Sequence, residues 1–192
     1  GIYDQLGGGF SRYSVDAEWF APHFEKMLYD NGQLLSLYSE AYALTKDTLF
    51  KNVVYQTVDW LTNEMKHHEG GYYSALDADS EGVEGKYYTF SLAEILRVLG
   101  DEKGRAFAAA FDITENGNFE GVNIPNLLNN NDLTSNFDEE RKRLYDYRKA
   151  RAKLHLDDKI LTSWNALMII TMSLLFRVSG KETYLKAAEN AH

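Results

Sequence analysis

Two short stretches of the sequence carry the side chains that best fit chemistry on a polar ligand. The first runs from Arg12 to Asp30 and the second from His155 to Asn165. Both combine proton-transferring carboxylates and histidines with cations and aromatic rings, which bind hydroxyl groups and stack on sugar rings. We predict proton-transfer roles for His23, Glu25, Asp30, Asp157 and Asp158, and substrate contacts for Arg12, Tyr13, Lys26, Asp77, Asp79, His155, Lys159, Trp164 and Asn165.

The same residues also have structural explanations. Asp157 and Asp158 are adjacent in the chain, so at most one of them is expected to face a common cavity. Asp158 or Thr162 fits the N-cap of a following helix, where a side-chain oxygen accepts a hydrogen bond from a free backbone N–H. His23 and Glu25 fit a hydrogen-bond network that fixes the start of a helix. From the sequence alone, both interpretations stay open.

An acidic turn at residues 77–84 resembles the first half of a calcium loop. Its spacing from Asp77 to Gly82 is that of an EF-hand, but the twelfth position, which should be a bidentate Glu, is Tyr88. We interpret the turn as a solvated hairpin tip or as a rim that adds carboxylates to a cavity, with a metal site as a third alternative. His67 and His68 are predicted at a helix end, where neighbouring side chains diverge. We predict no metal and no cofactor.

Composition excludes several classes of partner. The 192 residues carry a formal net charge of -9, and no cluster of Lys and Arg would follow a phosphate backbone, so we predict no nucleic-acid partner. The chain has no Cys, which excludes disulfides and thiolate metal sites in it. The longest apolar run, 166–176, is too short to span a bilayer, and we predict no membrane partner. We predict a cytoplasmic protein of which this chain is a fragment.

Hydrophobic periodicity predicts a helical hairpin over about residues 22–67. The first helix, Pro22–Leu44, is apolar on more than one side and is expected to be buried nearly all round, with Pro22 in its first turn. Asp47 is expected to cap the second helix, Thr48–His67, whose single apolar stripe places it on the outside. Gly7–Gly9 precede the hairpin, and without the Lys-Ser/Thr of a phosphate loop they indicate a tight turn.

The remaining chain alternates between irregular and helical segments. Two aromatic strands, GGYYSAL and KYYTF, are predicted around the acidic turn as a β-hairpin insertion at about 70–90. Ser91 and Glu94 form a capping box for a short helix that ends near Leu99. The predicted elements after it are a helix at Asp101–Phe111, an irregular segment at Asp112–Ser135, helices at Phe137–Arg151 and Thr162–Val178, and a further helix from Lys181.

An internal repeat at an offset of 134 residues relates the two apolar helices. Asn31 aligns with Asn165, and Phe50 aligns with Tyr184 at the start of the following helix. Repeated inner and outer helices form either an open solenoid or a closed α/α toroid, and apolar inner helices favour the toroid. We therefore predict an all-α fold, a partial (α/α)6 toroid with a small β-hairpin insertion, with residues 1–192 as part of one domain and a second hairpin from about 160.

Three long motifs resemble one known family. In order they are GGGFSRYSVDAEWFAPHFEKMLYDNGQLL, GGYYSALDADSEGVEGKYYTFS and HLDDKILTSWNALMI. They are similar to the YyaL-like thioredoxin-domain-containing proteins, whose animal members are called spermatogenesis-associated. The resemblance implies an upstream thioredoxin-like domain and an α/α toroid like those of six-hairpin glycosidases and N-acylglucosamine 2-epimerases.

Two function classes follow from these observations. The first is a carbohydrate-active domain that acts on a saccharide or sugar derivative by acid/base chemistry, in the manner of a glycosidase or a sugar epimerase. The second is a non-catalytic helical scaffold that presents clients to the upstream thioredoxin-like domain. The scaffold predicts that the polar residues are paired with each other, whereas the enzyme predicts that they face a ligand.

Overall fold

The computed structural model describes residues 1–130 and 136–192, which form two compact units. Unit 1 comprises Gly1–Gly7, Ser11–Glu25 and Asp77–His155, and unit 2 comprises Gly8–Phe10, Lys26–Leu76 and Leu156–His192. In chain order the elements are β1 (Lys26–Met27), α1 (Leu28–Thr45), α2 (Thr48–Trp60), a π-helical turn (Leu61–Met65), β2 (Ala75–Leu76), β3 (Asp79–Ser80), β4 (Val83–Glu84), α3 (Leu92–Leu99), α4 (Asp101–Ala110), α5 (Asp138–Arg151), β5 (Leu156–Asp157), α6 (Thr162–Ser179) and α7 (Glu182–Asn190). Helices dominate, and the predicted fold class with its small β part is confirmed.

Unit 2 consists of two helical hairpins, α1–α2 and α6–α7, packed through their first helices. Near the start of α1, the Thr171 hydroxyl donates to the Gly32 carbonyl at 2.9 Å. Further along, Tyr42 lines one small cavity with Leu175 and Val178. Contacts that advance together along both helices show that α1 and α6 run parallel. Parallel first helices in neighbouring hairpins are the arrangement of a partial α/α toroid, as predicted.

A short sheet at the N-terminal ends of α1 and α6 corrects the predicted start of the first helix. Lys26 and Met27 are extended and pair with Leu76 and Ala75, while β2 pairs on its other side with β5. The helix therefore begins at Leu28, and the prediction of Pro22 in its first turn is wrong. The pairing partner lies about fifty residues away in the chain, so no local pattern announces it.

The burial predicted for the first helix is also wrong in part. Leu35 is buried, but Leu37 and Leu44 are 60% and 86% exposed in this chain. The helix thus buries one face against α2 and α6 and leaves the opposite face open. Its outer partner matches the prediction closely, because the Asp47 carboxylate caps α2 by accepting from the Leu49 N–H at 2.8 Å.

The predicted β-hairpin forms at a different place. The strands β3 and β4 pair within the acidic turn itself, Asp79 opposite Glu84. The predicted strand at Lys86–Phe90 is instead a turn, in which the Tyr88 and Thr89 N–H groups both donate to the Gly85 carbonyl. Gly85 lies so close to Phe24 that a Cβ there would be 2.5 Å from the ring, so this turn requires glycine.

Unit 1 is built around α3, α4 and α5. The capping box is present, with the Glu94 N–H donating to Ser91 Oγ and the Ser91 N–H donating to the Glu94 carboxylate. Its principal core consists of Phe90, Ile95, Leu99, Phe107, Ala108, Phe111, Ile113 and Leu144. The irregular segment after α4 is organised by the buried Asn123 side chain, which accepts from two backbone N–H groups and donates to two carbonyls. Residues 131–135 of that segment lie outside the described residues.

No helix in the described part of the chain is both long and apolar enough to cross a lipid bilayer.

Candidate functional site

A small antiparallel hairpin in unit 1, which we call the N-terminal hairpin (residues 12–25), carries the most compact group of predicted site residues. The His23 N–H donates to the Tyr13 carbonyl and the Arg12 N–H to the Glu25 carbonyl, both at 2.9 Å. Ser14 and Pro22 form a β-bridge between them. The backbone therefore brings together side chains that are about ten residues apart in the sequence.

The Glu25 carboxylate lies between a cation and an imidazole. Its Oε2 is 3.4 Å from Arg12 Nη1 and 3.9 Å from His23 Nδ1. The His23 ring stacks on Tyr13, with centroids 4.8 Å apart and an interplanar angle of 15°. Within the described residues, His23 Nδ1 makes no hydrogen bond. The group thus offers a proton acceptor beside a carboxylate that can orient it, because catalytic hydrogen bonds are often long before a ligand binds.

The outer faces of this group are open to solvent. Tyr13 is 47% exposed and the Arg12 side chain 45%, whereas the Glu25 and His23 side chains are about a quarter exposed. An open ring and an open guanidinium beside a partly shielded carboxylate and imidazole form a shallow polar site. Such a site suits stacking on a sugar face and hydrogen bonding to its hydroxyl groups.

Trp19, at the tip of the N-terminal hairpin, is a candidate site residue that was not predicted from the sequence. The Asp16 carboxylate accepts the N–H groups of Phe20 and Ala21, and these hydrogen bonds lower the pKa of Asp16. They close a turn in which Trp19 has a φ of 60° and its indole is 59% exposed. A bulky residue rarely adopts this left-handed backbone, and such strain concentrates at functional positions. Asp16 is a residue type common in turns, which signals a turn here but not the backbone conformation of Trp19.

The acidic turn contributes the other predicted residues of unit 1. The Asp77 N–H donates to the His155 carbonyl at 3.0 Å, which brings these two residues together through the backbone. Asp77 Oδ1 accepts the Asp79 N–H at 3.3 Å, and both carboxylates are exposed. The next acidic residue, Glu81, forms an ion pair with Lys86. The turn is therefore shaped by its own hydrogen bonds, with Asp77 and Asp79 facing solvent.

Two predicted substrate-binding residues of unit 2 are buried and form hydrogen bonds to the backbone. Lys26 is 1% exposed, and its ammonium donates to the Gly8 carbonyl at 2.7 Å and lies over the Trp60 ring. Asn165 is also buried and holds both the N–H and the carbonyl of Tyr72, at 2.7 and 3.0 Å. Both side chains therefore serve the fold of unit 2.

Asn165 has an equivalent in the first hairpin, as the internal repeat predicts. Asn31 holds the N–H and the carbonyl of Phe10 at 2.7 and 3.0 Å. Each amide also donates to the carbonyl four residues earlier in the chain, Met27 for Asn31 and Leu161 for Asn165. Asn31 and Asn165 therefore make the same three hydrogen bonds in the two copies of the repeat. These bonds give both asparagines a structural role.

The remaining predicted residues of unit 2 lie at the starts of α1 and α6. Asp157 accepts the Lys159 ammonium at 2.7 Å, and this contact lowers the pKa of Asp157. Asp157 is thus a carboxylate at neutral pH, which suits a base better than an acid. The Trp164 ring packs edge-on against Tyr29 at 4.8 Å. Asp30 is half-buried in the first turn of α1, and Asp158 is exposed.

Comparison with known proteins identifies relatives along the whole chain. Human spermatogenesis-associated protein 20 is 33% identical over 227 aligned residues, which cover 99% of this chain and 29% of that protein. The rat protein of the same name is 32% identical with the same coverage, and an uncharacterized Caenorhabditis elegans protein is 35% identical over 98% of this chain and 31% of its own length. The chain thus spans about a third of the length of these relatives.

Among solved structures, similarity is distant. A D-mannose isomerase (14% identical, TM-score 0.37) is matched over 99% of this chain and 46% of its own. A sugar epimerase from a ruminal bacterium (18% identical, TM-score 0.39) is matched over 99% of this chain and 48% of its own. The cellobiose 2-epimerase of Spirochaeta thermophila (15% identical, TM-score 0.39) is matched over 100% of this chain and 47% of its own. TM-scores this low support no statement about function.

No protein-family model matches the chain. The relatives nevertheless agree with the motifs, and the chain is a homologue of a segment of spermatogenesis-associated protein 20, the family that its sequence predicts.

Proposed function

We propose that the N-terminal hairpin binds a saccharide or sugar derivative and supports acid/base chemistry on it. The observation that carries the proposal is the contact of one carboxylate, Glu25, with both the Arg12 guanidinium and the His23 imidazole, beside the exposed ring of Tyr13. These groups are the set that a sugar requires: a ring for its apolar face, a cation for its hydroxyl groups and a proton-transfer pair.

Each side chain has a separate role in this proposal. His23 takes and returns a proton, and Glu25 holds the imidazole in position and stabilises the charge that it gains. Arg12 fixes Glu25 and binds a ligand hydroxyl, and Tyr13 stacks on the sugar ring. Trp19 adds a second aromatic surface at the tip of the same hairpin.

Other predicted residues stay proposals of the same kind. In unit 1, Asp77, Asp79 and His155 offer exposed hydrogen-bonding groups to a ligand. In unit 2, Asp30, Asp157, Asp158, Lys159 and Trp164 collect where α1 and α6 begin, and the positive end of a helix dipole favours developing negative charge there. The cytoplasmic location and the absence of a nucleic-acid partner stay predictions from composition.

Calorimetry and thermal shift of the purified protein against a panel of mono- and disaccharides test the proposal. A ligand that binds site residues raises the midpoint of unfolding of the wild type. We expect His23→Ala and Glu25→Gln to abolish that shift. The matched control is Glu81→Gln, which removes an ion-paired carboxylate of the same unit outside the N-terminal hairpin and should leave the shift unchanged.

The second candidate is a non-catalytic scaffold for an upstream thioredoxin-like domain. It is favoured by the pairing of Lys26, Asn165 and Asp157 with neighbouring groups, as this candidate predicts. If no sugar binds while His23→Ala and Glu25→Gln lower the free energy of unfolding, the polar group is structural. The scaffold then replaces the enzyme as the proposed function.

A further inference from the structure

We propose that His67, His68 and Glu69 form a binding site for a divalent transition-metal ion, with zinc the best fit. One ligand atom from each of the three side chains lies within 4.8 Å of the others. The two imidazole rings are 4.2 Å apart between centroids. This turn, which we call the His-His-Glu turn, belongs to unit 2 and is independent of the proposed sugar site.

The structure removes the sequence argument against these histidines. The π-helical turn ends at Met65, and Lys66 is extended, with φ -83° and ψ 129°. Lys66 then forms a β-bridge with Tyr72, so the intervening residues are the loop of a tight hairpin. His67 and His68 therefore do not sit on successive helix positions, and their rings tilt toward each other instead of diverging.

Backbone hydrogen bonds hold the His-His-Glu turn in shape. The His67 N–H donates to the Gly71 carbonyl at 3.1 Å, and the Gly70 N–H donates to the His67 carbonyl at 3.2 Å. Gly70 and Gly71 both have positive φ, 109° and 76°, which other residues rarely adopt. The loop that carries the three ligands is thus fixed before an ion binds.

One nitrogen of His67 is assigned by its hydrogen bond. His67 Nδ1 accepts the Glu69 N–H at 3.2 Å, so in the neutral ring Nε2 is the nitrogen that carries the proton. The Tyr73 ring packs edge-on against the imidazole, with centroids 5.5 Å apart, and limits its rotation. Zinc at Nδ1 would take the place of the Glu69 N–H, and zinc at Nε2 would take the place of the ring proton.

The donor set selects the class of ion. Two imidazole nitrogens and one carboxylate oxygen suit zinc and its neighbours, whereas calcium and magnesium require oxygen ligands. Zinc bonds of ~2.0–2.1 Å place tetrahedral ligands roughly 3.4 Å apart. His68 and Glu69 are exposed, so small side-chain rotations close the remaining gap. Three protein ligands leave the fourth position to water.

Titration calorimetry of the purified protein with zinc chloride tests the site. We expect one zinc ion per His-His-Glu turn and a loss of affinity of more than about tenfold in His67→Ala and His68→Ala, because even second-shell partners cost 10–100-fold. Glu69→Gln should weaken binding less than either histidine change. His192→Ala, which removes an exposed histidine elsewhere, is the matched control and should bind zinc as the wild type does.

Nuclear magnetic resonance of the imidazole nitrogens provides a second readout. Zinc should shift the resonance of one ring nitrogen in His67 and of one in His68. The proposal is overturned if the wild type binds no zinc, or if the exposed variants His68→Ala and Glu69→Gln bind it as tightly as the wild type.

Discussion

The amides of Asn31 and Asn165 each pair both the N–H and the carbonyl of one buried residue. We therefore expect each asparagine to contribute strongly to the free energy of unfolding. Replacing Asn165 by Leu leaves the N–H and the carbonyl of Tyr72 buried without partners, which costs on the order of 1–3 kcal/mol or more. We expect Asn31→Leu to lower the free energy of unfolding by a similar amount, measured by urea denaturation. Gln33→Leu on the exposed face of α1 is the control and should change it by less than about 0.5 kcal/mol.

A buried ion pair in unit 1 carries a second prediction at this scale. Arg148 meets the Asp4 carboxylate with two parallel hydrogen bonds, at 3.0 and 2.6 Å, and its guanidinium lies over the Tyr87 ring. Removing one member of such a pair leaves a buried charge without its partner, so Arg148→Met should cost about 3–5 kcal/mol.

The control for this pair is an exposed one. Lys142 contacts Asp146 at 2.8 Å on the surface of α5, and Lys142→Met should cost less than about 1 kcal/mol because solvent screens that pair. The double variant Arg148→Met/Asp4→Leu should lose less stability than the sum of its single changes. If Arg148→Met and Lys142→Met lower the free energy of unfolding equally, the buried pair contributes no more to stability than the exposed one.

At the scale of elements, hydrogen bonds tie the start of α3 to the end of α5. Burial raises the pKa of Glu94, but hydrogen bonds from the Ser91 N–H, Arg151 and Tyr147 outweigh it, and the net shift is downward from 4.5. Arg151 also donates to the carbonyls of Lys86, Tyr87 and Thr89, which holds the turn after the acidic hairpin.

This network predicts a specific loss of stability in acid. A carboxyl with a lowered folded-state pKa contributes stability above its unfolded value of 4.5, and that contribution is lost as the pH falls through the folded value. Glu94→Gln should therefore be less stable than the wild type at neutral pH and lose less on acidification below about pH 5. Urea midpoints measured against pH test this, with the exposed Glu40→Gln as control. Parallel curves for Glu94→Gln and the wild type would refute it.

The tip of the N-terminal hairpin allows strain and binding to be separated. Trp19 has a φ of 60°, which glycine adopts without strain, so Trp19→Gly should be more stable to urea than Trp19→Ala. Both variants lose the indole, and under the proposed function both should weaken sugar binding equally. Calorimetry with a sugar that raises the unfolding midpoint of the wild type measures this. Unchanged affinity in both variants would remove Trp19 from the site.

The elements predicted best are those with local signals. Asp47 and the Ser91–Glu94 box fix the starts of α2 and α3 because their bonds reach only two or three residues along the chain. The strand at Lys26–Met27 was not predicted because its partner, Ala75–Leu76, is distant along the chain. The N-terminal hairpin site was found only in part, since Trp19 depends on a backbone conformation that no residue pattern specifies.

At the scale of the whole molecule, charge and exposed apolar side chains act against each other. The net charge of -9 at neutral pH keeps chains apart, and it falls to zero near the sequence pI of about 5.0. Leu37 on α1 and Ile170 on α6 are 60% and 63% exposed. Without charge repulsion, such side chains promote association through their apolar surface.

We therefore expect the chain to associate more strongly at pH 5 than at pH 7.5, as measured by light scattering coupled to size exclusion at several concentrations. The double variant Leu37→Gln/Ile170→Gln should reduce that association, because it removes apolar surface from α1 and α6 alone. Val83→Gln, at a 54% exposed apolar position on β4, is the matched control. If neither variant reduces association, loss of charge alone drives it, and if Val83→Gln reduces it as much as the double variant does, exposed apolar side chains act without preference for α1 and α6. If only the double variant does, α1 and α6 carry the apolar surface that the repeat leaves uncovered.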